Sequence, residues 1–235
     1  PLFSAVWALA KDWSARGAAL AVGDVVKAGV KKLNEMSAVI VEELAWQMGR
    51  PTRFGGEFGG VNARTEYMAE IAAKTLAPEM IEDSDKFRRY LARDPVGVVF
   101  IVAPWNYPYL TTINTLVPAL IAGNTVVLKH ASQTMLVGER LAQAFHEAGV
   151  PKDVFQNLVL DHATTEHLIA HRYFNFVNFT GSVAGGQAIE RAAASISSAR
   201  AAKAMITLMV CLSRIVIFVG GTGVGETLAR TVPDM

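Results

Sequence analysis

Leu33, Met36, Ile40 and Leu44 recur at spacings of three and four, so one apolar helix face runs through them. Gly49 and Pro51 close that helix, the glycine as a C′ residue and the proline as a stop. Phe54–Gly60 is glycine-rich and reads as a loop. Val61–Thr75 reads as a second helix, which Pro78 ends. Lys86–Asp94 alternates loosely and is heavily charged. It fits an exposed strand or arm, and equally a solvated loop.

From Pro95 the texture changes to short, continuous apolar runs separated by helical stretches. Val96–Ala103, Asn124–Lys129, Val154–Leu160 and Phe174–Phe179 have strand length. Thr111–Ala122, Gln133–Ala148, Ala163–Ala170 and Ser182–Ala194 read as the helices between and after them. Gly149 and Pro151 stop the second of these. Strands apolar on both faces, alternating with helices, predict a parallel sheet covered on both sides. The predicted fold class is therefore α/β, a parallel sheet with helices on both faces, preceded by N-terminal helices and a strand arm. Ligands of such sheets bind beyond the carboxyl ends of the strands.

Composition narrows the function. The 235 residues are 51% hydrophobic and 18% charged, which excludes a disordered chain. Twenty-two basic residues against 21 acidic ones give a net charge of +1, too little to suggest a nucleic-acid partner. Cys211 is the single cysteine, so no internal disulfide and no cysteine-based zinc site is expected, which fits a reducing, cytoplasmic setting. The apolar run Met205–Val219 is interrupted by Ser213–Arg214 and is short of the roughly 20 residues a membrane helix needs. No targeting signal is visible, and no membrane association is expected.

The residues after the strands carry the candidate chemistry. Pro104-Trp105-Asn106-Tyr107-Pro108 follows the first strand. Asn106 offers two uncharged N–H donors, which suits an oxyanion hole, although proline and asparagine also build plain turns. Lys129 leaves the second strand where it could meet a hydroxyl or phosphate, and Ser132 or Thr134 could cap the next helix. Phe179-Thr180-Gly181-Ser182 leads straight into a helix, whose free N–H groups and dipole favour an anion.

PWNYP, KHASQT and FTGS, in this order and spacing, with LVPALIAGNTVVLKH and LAQAFHEAGVPKDVFQNLV between them, resemble the aldehyde dehydrogenase superfamily. EELAWQMGRP resembles the helix end that precedes this module. The resemblance runs from about Leu33 to Ala194. It implies a Rossmann-like cofactor domain over 95–194, N-terminal helices over 1–85 packed on it, and an arm over 86–94 that pairs subunits into a homo-oligomer. It implies Asn106 as the oxyanion donor. Val102 and Trp105 would line the cofactor cleft, and Lys129 would contact the adenosine ribose. Ser132 stands where many members carry a glutamate near that ribose, and Ser182 would meet the pyrophosphate, with Gly181 allowing close approach. The implied cofactor is NAD or NADP, and the implied substrate an aldehyde. The implied reaction is thiol attack, hydride transfer and thioester hydrolysis.

Two departures accompany the resemblance. Leu160-Asp161-His162 replaces the usual glycines on the adenine side. The stretch 195–235 differs in texture, and the family's Glu-Leu-Gly-Gly turn and nucleophilic cysteine are not found in it, so the chain is expected to carry only the cofactor half. The alternative is a non-catalytic, dinucleotide-binding or structural derivative. Cys211 lies in an apolar run and reads as a buried small hydrophobe. Residues 220–227 nearly fit a phosphate-binding loop, but Glu226 stands where that loop needs lysine. His162, His167 and His171 lack the glutamate spacing of a zinc-protease helix and read as surface residues, and no metal is expected. No tyrosine has a lysine four residues on, which excludes a short-chain dehydrogenase site.

Overall fold

The computed structural model describes residues 19–194 and the strand backbones of 205–210 and 216–220. Two N-terminal helices, α1 (Ala19–Glu35) and α2 (Ser37–Met48), meet at a one-residue break. The face through Leu33, Met36, Ile40 and Leu44 therefore crosses two helices rather than one. At Met36 the N–H bonds three residues back to Leu33, which ends α1, while its carbonyl accepts from Ile40 to start α2. Val22, Val26, Val30 and Leu33 are buried along α1, at steps of four, four and three that continue the same core. Gly49 closes α2 in the left-handed region at φ 71°, as its position after the apolar face predicts.

The glycine-rich loop is shorter than expected. A single 3₁₀ turn spans Thr52–Phe54, and α3 (Phe58–Leu76) begins inside the predicted loop. The charged arm is a strand, but half of a pair: β1 (Glu79–Asp83) runs antiparallel to β2 (Arg88–Leu91) in an isolated hairpin. Met80, Ile81, Tyr90 and Leu91 of this hairpin are exposed.

The sheet alternates with helices in the predicted order. β3 (Val98–Val102) is followed by α4 (Pro108–Ile121), β4 (Thr125–Lys129), a 3₁₀ turn (Ser132–Thr134) and α5 (Met135–Glu147). Then come β5 (Phe155–Asn157), α6 (His162–Ala170), β6 (Phe176–Gly181) and α7 (Val183–Ala194). The third apolar run contributes only three residues to the ladder. β7 (Met205–Val210) adds to β6 in parallel, and β8 (Val216–Gly220) runs antiparallel beside β7, so the sheet order is β5-β4-β3-β6-β7-β8. Cys211 and residues 221–227 lie outside the described residues.

β3 shows why both faces had to be apolar. Val99 and Ile101 pack into one core with α1, α4 and α5, while Val98, Phe100 and Val102 pack into another with α6 and α7. Phe100 stacks on Phe174 at 4.1 Å in the second core. The chain builds outward from β3 through β4 to β5, then returns to place β6 on the other side of β3. The strand order reverses between β3 and β6, and a crevice opens at such a point beyond the carboxyl ends.

Candidate functional site

A cleft of about 420 Å³ opens at that reversal. Val102, Trp105, Asn106, Lys129, Ser132, Gly181 and Ser182 all line it. The seven residues singled out from sequence come from three strand ends far apart in the chain, and parallel pairing of β3 with β4 and β6 brings those ends to one edge.

Each wall has a local reason. Lys129 ends β4 at 6% exposure, its backbone carbonyl accepting from Ala103 at 3.1 Å. Among the described residues its ammonium has no hydrogen-bond or ion-pair partner, and burial pushes its pKa down. Ser182 precedes α7, and its hydroxyl oxygen accepts from the Gly185 N–H at 3.1 Å. That is an N-cap, and it leaves the hydroxyl proton available to a ligand. Gly181 and Gly185 flank the Phe179 ring. A Cβ would stand 2.7 Å from that ring at Gly181 and 2.8 Å at Gly185. A side chain at either glycine would therefore force the Phe179 ring to shift, before any ligand arrives.

Of one whole wall, sequence reasoning named only His162, as part of the adenine-side loop. His162, Thr165 and Glu166 from α6, and Gly185, Ala188 and Ile189 from α7, also line the cleft. Their i, i+3, i+4 spacing was visible, but neither set is apolar enough to read as a buried face. Asp161 caps α6 by accepting from the Thr164 N–H at 2.7 Å, so the adenine-side loop ends in an ordinary helix cap where glycines were expected from the resemblance. His162 lines the cleft, while His167 and His171 stack on each other at 3.9 Å. Among the described residues no group of three or more His, Cys, Asp or Glu could hold a metal ion.

The expected cap after β4 is different in origin. Thr134 precedes α5, but its hydroxyl meets His130 Nδ1 at 3.0 Å, and Ser132 makes no cap bond. The first turn of α5 is capped from α2, where Gln47 Oε1 accepts from the Leu136 N–H at 3.0 Å. Arg140 pairs with Glu43 between the same two helices.

His130 sits directly behind the cleft at 5% exposure. The Ala131 N–H donates to its Nδ1 at 3.0 Å, which places the ring proton on the buried Nε2. Burial pushes the imidazole down to about 4, helped by the neighbouring Lys129 charge. The folded value lies below the unfolded one of about 6.5, so neutral His130 stabilises the fold above pH 6.5. That stability is lost as pH falls from 6.5 toward 4. At about 1.4 kcal/mol per pH unit the loss is about 3 kcal/mol. His130→Asn, which still accepts but does not titrate, is expected to lack this component. Urea unfolding of both proteins at pH 7, 5.5 and 4 checks it, and identical pH slopes would contradict it.

Among the described residues no helix is long and apolar enough to cross a membrane. The profile of the aldehyde dehydrogenase family matches residues 8–218, beyond both ends of the stretch that the motifs carry, and the chain belongs to that family. It is 35% identical over 182 residues to D-glyceraldehyde dehydrogenase (NADP(+)) of Thermoplasma acidophilum, covering 76% of this chain and 35% of that protein. It is 32% identical to peroxisomal aminoaldehyde dehydrogenase 1 of Malus domestica, over 79% of this chain and 38% of that one. The chain thus spans about a third of the length of these curated relatives. The fold matches a NAD-dependent benzaldehyde dehydrogenase from Corynebacterium glutamicum with a TM-score of 0.76 at 24% identity, over 89% of this chain and 44% of that one. It also matches a succinic semialdehyde dehydrogenase from Streptococcus pyogenes in complex with NADP+, with a TM-score of 0.74 at 24% identity, over 88% of this chain and 45% of that one. The sheet is thereby a Rossmann-like fold of the aldehyde dehydrogenase type.

Proposed function

We propose that this chain holds the nicotinamide dinucleotide of an NAD(P)+-dependent aldehyde dehydrogenase. The single observation behind the reading is the cleft at the strand reversal, where the ammonium of a largely buried lysine faces the same space as a helix N-terminus. Those are the groups a dinucleotide requires: a donor for the ribose, and N–H groups with a helix dipole for the pyrophosphate. Lys129 would contact the adenosine ribose. Gly181, Ser182 and the first turn of α7 would take the pyrophosphate, while Val102 and Trp105 wall the cleft. Bound there, the cofactor would supply a hydride acceptor. Asn106 would donate to the oxygen of an aldehyde carbonyl as negative charge develops on it.

The domain division at 1–85, 86–94 and 95–194 belongs to the same proposal, with β7 and β8 of the 195–235 stretch added to the sheet beside β6. So do a cytoplasmic setting and a homo-oligomer in which the exposed β1–β2 hairpin pairs between copies.

Relatives carry either NAD or NADP in their names, and the ribose corner here favours neither strongly. Ser132 carries no charge to repel a 2′-phosphate, and Lys129 welcomes one. Fluorescence titration with NADH and NADPH is expected to give affinities within about a hundredfold, near 2.7 kcal/mol. Ser132→Glu should move the balance toward NADH by about tenfold or more, through repulsion of the 2′-phosphate. A wild-type preference for NADH above a hundredfold would contradict this assignment of the ribose corner. No saturable binding of either cofactor would end the functional reading.

A further inference from the structure

Arg50 and Glu57 form an ion pair that the cofactor reading does not use. Arg50 Nη1 lies 2.7 Å from Glu57 Oε1, with the side chains only 13% and 5% exposed. Both groups are further bonded, one to the backbone of the turn that carries Asn106 and one to the first turn of the helix that follows it. Arg50 Nη2 donates to the Asn106 carbonyl at 2.9 Å. Glu57 Oε2 accepts from the Leu110 N–H at 2.7 Å. The guanidinium also lies 5.7 Å from the centre of the Tyr107 ring.

The local chemistry explains why the pair is aimed there. Leu110 is the third residue of α4, whose N-cap position is Tyr107, a residue with no acceptor for the first-turn N–H groups. A carboxylate brought in from the start of α3 satisfies one of them and meets the positive end of the helix dipole. Glu57 occupies the N-cap position of α3 itself yet makes no cap bond to its own helix. Its carboxylate is committed to α4. Arg50 follows the left-handed Gly49 and precedes Pro51, so its backbone is held by the stop of α2. One rigid helix end and one helix start thus hold the chain at Asn106 itself and at Leu110, four residues on.

We infer that the Arg50–Glu57 pair is a positioning device for Asn106, fixing the turn so that the asparagine amide keeps its place in the cleft wall. The inference rests on the reading of Asn106 as the oxyanion donor, since only that role demands so fixed a side chain. A buried ion pair is weak as a source of stability, because desolvation offsets most of the attraction. Burial here pushes the Glu57 carboxyl up even against its bonds to Leu110 and Arg50. What the pair supplies is geometry. A guanidinium fork can serve a carboxylate and a carbonyl at once, and an ammonium at the same place cannot reproduce that planar double contact.

The test uses the ¹⁵N-labelled 235-residue chain and reads the Asn106 side-chain amide signals, assigned by their loss in Asn106→Ala. Two variants are compared with wild type. Arg50→Lys keeps a cation beside Glu57 but gives up the fork. Arg50→Met with Glu57→Gln removes both charges, so neither is left buried alone. In Arg50→Lys the melting temperature should stay within a few degrees of wild type, while the Asn106 signals shift or broaden. The double variant should show the same displaced Asn106 signals. Unchanged Asn106 signals in both variants would overturn the inference. So would an Arg50→Lys chain that melts far below wild type, because the pair would then be a brace of the fold. Failure of the oxyanion reading is separate: it would appear as normal turnover in Asn106→Ala, whatever the signals of the Arg50 variants show.

Discussion

Lys129→Met is expected to make the ligand-free chain more stable and its dinucleotide binding weaker. Lys129 is nearly buried and, among the described residues, has no counter-charge. An unpaired ammonium under those conditions is costly, and an apolar side chain of similar length fills the space without that cost. Urea unfolding should show the gain as a higher midpoint with an unchanged slope. The same substitution removes a charged donor from the proposed ribose contact, a bond worth about 1.5–3 kcal/mol. The dissociation constant should therefore rise by about 10- to 100-fold. A stability gain and a binding loss in one variant is the mark of a group held in strain for a ligand. Loss of stability in Lys129→Met would mean that the ammonium has a structural partner and that the cleft reading of this residue is wrong.

Asn106→Ala should cost about 10²–10³ in turnover, roughly 2.7–4 kcal/mol, the usual penalty for one oxyanion donor. The measurement needs a complete catalytic centre, for instance this segment joined to the catalytic part of a relative. Asn106 lines the cleft beyond β3, and its carbonyl is held by Arg50, so loss of the amide should leave the turn in place. Cofactor affinity should change little. A variant that keeps near-normal turnover and loses only thermal stability would make Asn106 a turn former.

The fold was legible where burial decides structure. The four apolar runs became β3 to β6 because a strand covered on both faces has no polar alternation to blur it. The hairpin was half legible. Glu79–Asp83 carries three acids in five residues, and such a strand has no apolar face to announce itself. The break at Met36 was hidden because the apolar spacing runs unbroken through it, and only the backbone bonds show that two helices share the face.

The cleft was legible at the strand ends and illegible on its helical side. Val102, Lys129 and Gly181 stand at the ends of strands, where topology alone predicts a ligand. Thr165 and Ala188 line the same cleft from helices and carry no chemistry that marks them. Gln47 capping α5, and Glu57 bonding α4, join residues 89 and 53 positions apart. Local sequence holds no trace of such pairings, because each acceptor replaces a cap that should have stood next to its helix. The departure from glycine at Leu160-Asp161-His162 now has a physical form, with the Asp161 carboxylate capping α6.

In the proposed function, the cleft between the carboxyl ends of β3 and β6 holds the dinucleotide. The most direct measurement is a ¹⁵N–¹H amide map of the 235-residue chain titrated with NADP+. Saturable movement is expected at the amides of residues 129–132 and 180–185, at the end of β4 and the start of α7. The amides of residues 54–60, on the far side of the Asn106 turn, should stay still. Perturbation centred on 54–60, or none at millimolar cofactor, would contradict it.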